Sequence, residues 1–359
     1  MKFAFVIHPI TPRDAARKYP IAKFFPDAVI ESFLKVKRPM VVSEISGIRS
    51  KTGATAEGIF IGCPLTPAMM MSMDLDRVYE RIIQCTELAK REGAEIIGLG
   101  AFTSVVGDGG ITVEKASPIA VTTGNSYTVA TSIEGALKAC ELVGVEPSSS
   151  RLAVVGATGS IGKTCARALS PLFASTIVIG RDPERTQALV SELTRAEATT
   201  EVSALRNADV VITVTSSETA VILPEHLRRG AIVCDVARPR DVSVRVAKER
   251  PDVLVIEGGV VSVPGDVSFG IDFGFPPKTA YACMSETMLL ALEGRAESFT
   301  LGKDVSLEQV KETQGWAEKH GFSLAGFRSF ERAVEEPAIE RAREARRDHT
   351  PPVLSHAQR

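Results

Sequence analysis

The 359-residue chain lacks the marks of several protein classes. Its six cysteines (Cys63, Cys85, Cys140, Cys165, Cys234, Cys283) are scattered and include no CxxC pair. That spacing excludes a zinc knuckle or disulfide scaffold and points to reduced thiols in a cytosol. Neither sign of charge dominates, since 42 basic residues face 44 acidic ones and the net charge is -2. The chain therefore offers no basic field for nucleic acid and no acidic excess of the kind that keeps a chain disordered. No apolar run is long enough to cross a bilayer as a helix. The opening run Phe3–Ile7 is too short for a signal peptide and soon meets Pro9 and Pro12, which suits a first buried strand. The five histidines have no metal-ligand spacing, so no metal is expected, and there is no internal repeat. What remains is a cytoplasmic globular protein, 44% hydrophobic and long enough for two or three domains.

The rhythm of the chain divides it. Residues 1–147 read as an α/β substrate domain, with strands at Phe3–Ile7, Val41–Ile45, Gly58–Ile61 and Ile96–Leu99. Helices are expected at Leu75–Glu92, before Gly93, and at Tyr127–Val143. Pro147-Ser148-Ser149-Ser150 reads as a linker. From 148 to 275 short strands (Arg151–Val155, Thr176–Ile179, Val210–Thr213, Ile232–Asp235, Val253–Glu257) are interleaved with helices at Ile161–Phe173 and Glu184–Leu193. Such repeated units predict a doubly wound parallel sheet of the Rossmann type. The fold class is thus α/β, a central Rossmann domain flanked by an N-terminal α/β domain and a C-terminal helical region at 276–328, with helices at Cys283–Leu292 and Leu307–His320. Residues 329–359 form a charged extension, expected to be a solvated helix or frayed tail rather than a docking arm.

The strongest local signal is Gly156-Ala157-Thr158-Gly159-Ser160-Ile161-Gly162, between a strand and a helix. Glycines there permit a tight turn and let the backbone approach a pyrophosphate held at the positive helix N-terminus. Lys163-Thr164 raises the possibility of a nucleotide P-loop, but that motif needs four residues between its glycines, and Gly156 and Gly162 are separated by five. After the second strand come Gly180 and Arg181, with Arg185 a helical turn later. An acidic residue here binds the ribose hydroxyl of NAD, whereas arginine pairs with the 2′-phosphate of NADP. NADPH is therefore favoured over NADH. Asp182 lies one place late and reads as a helix N-cap. Thr215, beyond the Val210–Thr213 strand, joins the expected cofactor set.

A dinucleotide leaves the substrate open. Hydride passes either directly to a carbonyl or to a thioester formed on a cysteine, and a usable cysteine needs thiolate character. Cys283 lies near a helix start, where the dipole and free N–H groups stabilise a thiolate or an oxyanion. Packing is the competing role. Cys63, in Gly62-Cys63-Pro64, is the rival thiol, and the other four cysteines read as core. His8 and His320 read as local hydrogen-bonding residues.

Four stretches carry a resemblance: Gly98-Leu99-Gly100-Ala101-Phe102-Thr103-Ser104, Thr122-Thr123-Gly124-Asn125-Ser126-Tyr127-Thr128, the glycine turn with Val154-Val155 before it, and Tyr281-Ala282-Cys283-Met284-Ser285-Glu286-Thr287 running on to Gly294. With Glu257-Gly258-Gly259 they follow in order over about residues 1–325. The chain resembles the long-chain fatty acyl-[acyl carrier protein] reductases. The resemblance implies NADPH-dependent reduction of a fatty acyl thioester, acyl-ACP or acyl-CoA, to a fatty aldehyde through an acyl-enzyme on Cys283. It implies acyl carrier protein and an aldehyde-consuming enzyme as partners. A long-chain product would partition into membranes, which brings an expectation of weak membrane association. Thr103, Ser104, Thr123 and Asn125 are expected to position the thioester. The segment Asp235–Arg240 either lines a path for the carrier phosphate or is a solvent loop. Two other readings stand beside this one. The first is a shikimate/quinate dehydrogenase-like or glutamyl-tRNA reductase-like oxidoreductase, and the second is a non-catalytic NADP-binding partner or sensor.

Overall fold

A computed structural model describes residues 1–17, 20–272 and 274–347. Its contacts divide the chain into two compact units. The first contains Met1–Thr131 and Gly259–Ala325, and the second Ser132–Gly258 and Gly326–Arg359. The division falls inside the helix Asn125–Val143, upstream of the serine-rich stretch. Pro147–Ser149 itself is one 3-10 turn of the second unit, tied by Ser148 donating to Glu146.

The first unit is built on a six-stranded sheet in the order Gly265–Ser268, Met40–Arg49, Thr55–Gly62, Lys2–Ile7, Ile96–Gly98, Ala120–Thr122. Lys2–Ile7 pairs in parallel with both of its neighbours, and the first two strands in that order add as antiparallel edges. Hydrophobic alternation explains the layering. Ala4, Val6, Ile59 and Ile61 point to one core, filled by Val78, Ile82 and Cys85 of the helix Leu75–Arg91. The helix ends where Gly93 takes φ +83°, a conformation glycine adopts at little cost. The opposite face carries Phe3, Phe5 and the helix Ala282–Glu293, whose residues Met284 to Leu292 are all buried. A helix buried all round is a core helix, and its polar residues Ser285, Glu286 and Thr287 are buried with the apolar ones. It comes so close that a Cβ at Gly98 would lie 2.1 Å from Thr287 Oγ1.

Beyond residue 259 the chain is less purely helical than its composition suggests. Val260–Ser262, Thr279–Tyr281 and Ser323–Leu324 form a small antiparallel sheet. Leu307–His320 is helical, as its sequence predicts, and the structure adds a Ser306/Gln309 capping box at its start.

The second unit is a six-stranded, wholly parallel sheet in the order Leu254–Glu257, Ile232–Asp235, Val210–Thr213, Arg151–Val155, Ser175–Ile179, Ala196–Thr199. This is the doubly wound Rossmann order, with its switch point between Arg151–Val155 and Val210–Thr213. The last strand was not expected, because Ala196-Glu197-Ala198-Thr199 has little apolar character and lies on the sheet edge.

The C-terminal extension corrects the sequence expectation. Arg328–Ser329 and Arg332–Ala333 make a hairpin, and Glu336–Arg347 is a docked helix. Ile339, Ala342 and Ala345 are buried, Arg346 pairs with the buried Asp209 at 3.1 Å, and Arg343 donates to the carbonyl of Leu142. The small apolar residues recur at helical spacing, but charges on either side hide them in the sequence. Residues 348–359 of the expected extension lie outside the described residues.

Candidate active site

The glycine turn stands at the switch point of the parallel sheet. Gly156 has φ +75°, and a Cβ there would lie 2.2 Å from Val214 O, so no other residue fits without moving backbone. A Cβ at Gly162 would lie 2.4 Å from Gly156 O, which shows how closely the helix Ser160–Leu169 sits on the turn. Gly159 is different. It caps that helix without a side-chain hydrogen bond, and a Cβ there would meet only Gly156 O, at 3.3 Å. No side chain at position 159 covers the helix N-terminus, as a pyrophosphate requires.

Arg181 and Arg185 follow the Ser175–Ile179 strand, both exposed, and Arg185 reaches Thr158 O at 3.4 Å. Asp182 is the N-cap of the helix Pro183–Val190, accepting from Arg185 N at 3.1 Å. Its carboxylate is thus engaged in capping rather than free to bind a ribose. Thr158, Ser160 and Ile161 lie in the same turn. These residues fit a dinucleotide with a phosphorylated ribose.

Thr215 is held by a residue that no local pattern singles out. Asp241, fully buried, accepts from Thr213 Oγ1 at 2.6 Å, Thr215 N at 2.8 Å and Thr215 Oγ1 at 2.5 Å. Asp235 nearby accepts backbone N–H groups of Ala237 and Val242 at 3.1 and 3.0 Å. Burial pushes its carboxyl up to about 6, against the pull of the Val242 N–H. The 235–240 segment is therefore no solvent loop. Its two arginines pair with carboxylates, Arg238 with buried Glu257 at 3.4 Å and Arg240 with Glu331 at 2.7 Å. Only the folded chain brings those partners together.

In the first unit, Cys283 occupies the first turn of Ala282–Glu293, whose N-cap is Tyr281. It is half-buried, whereas the other five cysteines are buried. Burial pushes its thiol up to about 12, opposed by the backbone N–H groups of Met284, of Cys283 itself and of Ala101. Ala101 takes φ +47°, a strained conformation for a residue with a side chain. The turn that aims its N–H is fixed by His8, whose Nε2 lies 3.1 Å from Phe102 N while Nδ1 lies 3.0 Å from Pro9 O. Accepting at Nε2 and donating at Nδ1 defines a neutral ring, and burial lowers its proton affinity in the same direction. His8 is thus a hydrogen-bonding residue as expected, but beyond its neighbour Pro9 its partner is a distant one, the turn beside the thiol.

Glu286, one turn after Cys283, is fully buried. It accepts from Thr122 Oγ1 at 2.5 Å, Ser126 Oγ at 2.6 Å and Tyr127 N at 2.9 Å. Burial raises its carboxyl above the usual range despite these donors. It fastens the 122–127 turn to the cysteine helix. Lone polar residues in an apolar stretch are a weak sequence signal, and the reading of this motif centred on the cysteine.

The four expected thioester-positioning residues belong to the two turns that meet Cys283 through Ala101 and Gly124. Thr103 and Ser104 donate to Gly100 O and Ala101 O at 2.8 and 2.7 Å, and Thr123 donates to Thr300 O at 2.8 Å. Their hydroxyl protons build the turns, and Asn125 is buried at the start of the next helix. Cys63, the rival thiol, is fully buried. A hydrogen bond from Cys85 lowers its proton affinity, but its sulfur is closed to a bulky thioester.

The parallel sheet, the open glycine turn and the paired arginines define the class: an NADP-binding oxidoreductase domain of the Rossmann type. A family model and one curated relative agree at that level. Residues 138–257 match the family model described as shikimate / quinate 5-dehydrogenase. The chain is 32% identical over 300 residues to the aminotransferase PigE of a Serratia species, covering 81% of this chain and 35% of that protein. It therefore spans about a third of PigE's length. It is 28% identical over 302 residues to the long-chain acyl-[acyl-carrier-protein] reductase of Synechococcus elongatus, covering 79% of this chain and 87% of that one. Among solved structures, L-tryptophan dehydrogenase from Nostoc punctiforme aligns over 97% of this chain and 88% of its own, with 14% identity and a TM-score of 0.40. No helix among the described residues is long and apolar enough to cross a membrane, and these residues hold no cluster of metal ligands.

Proposed function

We propose that the protein reduces a fatty acyl thioester, carried on acyl carrier protein or coenzyme A, to a fatty aldehyde through an acyl-enzyme on Cys283. The observation that carries this reading is the half-buried thiol at a helix start with the N–H groups of Met284 and Ala101 against it. The similarity to the Synechococcus reductase supports it over the same residues.

The chemistry follows from those groups. In the resting protein the thiol keeps its proton, because burial disfavours the thiolate. As Cys283 Sγ bonds to the thioester carbon, negative charge develops on the carbonyl oxygen, and the positive end of the helix that begins at Ala282 lowers the barrier. The carrier sulfur leaves as that charge returns, and the proton lost by Cys283 balances the released thiol. Thiol and thioester have exchanged with no net change in bond type. When bound at the glycine turn, NADPH supplies a hydride. Arg181 and Arg185 select its 2′-phosphate, and Asp241 holds Thr215 in place beside the strand ends. Once the acyl carbon is reduced, Sγ departs from the thiohemiacetal, the aldehyde carbonyl forms and Cys283 regains a proton. Acyl carrier protein delivers the substrate, and an aldehyde-consuming enzyme removes the product. An aldehyde is an amino acceptor, so an enzyme of the class for which PigE is named can use it.

The test is product analysis with deuterated NADPH and a long-chain acyl-CoA or acyl-ACP. One deuterium on the aldehyde carbon, with no product from Cys283→Ala, is the expected result. Reduction that survives Cys283→Ala would instead favour direct hydride transfer of the shikimate dehydrogenase kind. NADPH binding without turnover would favour a sensor.

A further inference from the structure

The surface of the first unit carries a stripe that the reaction does not use. Ile21 and Phe24 of the turn Pro20–Phe24, with Phe25 after it, face solvent, as do Val29, Phe33 and Val36 of the helix Asp27–Val36. Phe24 is 85% exposed, Val36 76% and Ile21 66%. Helical geometry explains the pattern. Ile30 and Leu34 turn inward to the core, and Arg81 anchors the end of the helix through the carbonyls of Lys35 and Lys37. At roughly 100° per residue, Val29, Phe33 and Val36 fall within about 60° of one another, on a face separate from Ile30 and Leu34. The helix thus has two apolar stripes, one packed and one open to water. Single exposed apolar side chains are ordinary on a protein surface, but six between positions 21 and 36 are not.

Charge says what this stripe fits. From Arg13 to Arg38 seven basic residues stand against three acidic ones, in a chain whose net charge is -2. Lys23, Lys35 and Arg38 are exposed beside the apolar residues. Two of the three acids are engaged nearby: Asp14 accepts from Thr11 N at 2.8 Å, and Asp27 pairs with Arg13 at 3.0 Å. A second copy docked symmetrically would set this basic segment against itself. A side chain as exposed as Phe24 projects from the surface rather than lining a groove, which suits insertion between lipids.

We propose that Pro20–Arg38 docks on an anionic lipid surface, its apolar stripe entering the headgroup–acyl boundary while Lys23, Lys35 and Arg38 meet the headgroups. The inference rests on this surface alone and stands or falls separately from the proposed reaction.

The test is sedimentation of the full chain with vesicles of phosphatidylcholine, alone or mixed with phosphatidylglycerol. Binding to the mixed vesicles that weakens in high salt is expected, with about a fivefold loss for each basic residue removed, as in Lys23→Gln and Lys35→Gln. The pair Phe24→Ser and Val36→Ser, at exposed positions that leave the melting temperature unchanged, should lower binding at least tenfold. No binding to either composition overturns the proposal, as does equal binding to both or full binding by the serine variant. A dimer in light scattering that the serine variant dissociates would also overturn it, by showing that a second copy covers the stripe.

Discussion

Gly124 lies against the backbone of Cys283: a Cβ at position 124 would stand 2.3 Å from Cys283 Cα and 2.5 Å from its carbonyl oxygen. With φ at +74°, the position also disfavours any residue with a side chain. The turn that Glu286 fastens is therefore pressed onto the backbone of Cys283. Gly124→Ala should cost roughly 1–3 kcal/mol from backbone strain alone and shift Cys283 as well. Thermal melting and aldehyde formation measured together should both fall. Wild-type values for both would show that the close packing is dispensable.

Cofactor choice should follow the two exposed arginines. Charge-assisted pairing with a phosphate is worth roughly 1.5–3 kcal/mol. Arg181→Ala with Arg185→Ala should therefore weaken NADPH binding about tenfold to a hundredfold and leave NADH binding nearly unchanged. Fluorescence titration with both nucleotides reads the ratio directly. Equal losses for the two would remove these residues from 2′-phosphate recognition.

Thiol reactivity should report the buried environment of Cys283. Its proton affinity is raised from 9.0 to about 12 by burial. Alkylation without substrate should therefore keep rising about tenfold per pH unit from 7 to 10 with no plateau. A plateau near pH 7 would mean that the resting enzyme already holds a thiolate. The proposed sequence, in which the proton leaves as the substrate is attacked, would then need revision.

Asp235 should give stability a pH dependence of defined sign. Burial raises its carboxyl from 3.8 to about 6, so between those values the folded state holds more proton than the unfolded one. Its contribution is most favourable below the lower value and is lost as pH rises through the window. The differential amounts to about 3 kcal/mol in order of magnitude. Denaturant midpoints from pH 4 to 7 should fall less steeply in Asp235→Asn than in the wild type. An identical slope in both would place the titration elsewhere.

Much of this fold is legible in the sequence. Val210–Thr213, Ile232–Asp235 and Leu307–His320 stand where their sequence patterns put them, because buried parallel strands are short apolar runs and an amphipathic helix keeps its apolar residues at helical spacing. The glycine turn was legible because its spacing is a consequence of backbone contact. Other features were hidden for reasons that can be named. The edge strand Ala196–Thr199 has no apolar run, and the terminal helix wears its charges outward. Asp241, Glu286 and His8 act through partners distant in the chain, so no local pattern marks them. The stripe of Phe24, Phe33 and Val36 cannot be told from a core-facing one by spacing alone, because only the packing puts Ile30 and Leu34 on the inside.

The central claim is the acyl-enzyme, and the most direct measurement is intact mass after incubation with long-chain acyl-ACP or acyl-CoA in the absence of NADPH. The wild type should gain the mass of one acyl group, Cys283→Ala should gain none, and added NADPH should discharge the acyl group as aldehyde. An adduct retained in Cys283→Ala, or no adduct with any chain length on either carrier, would contradict it.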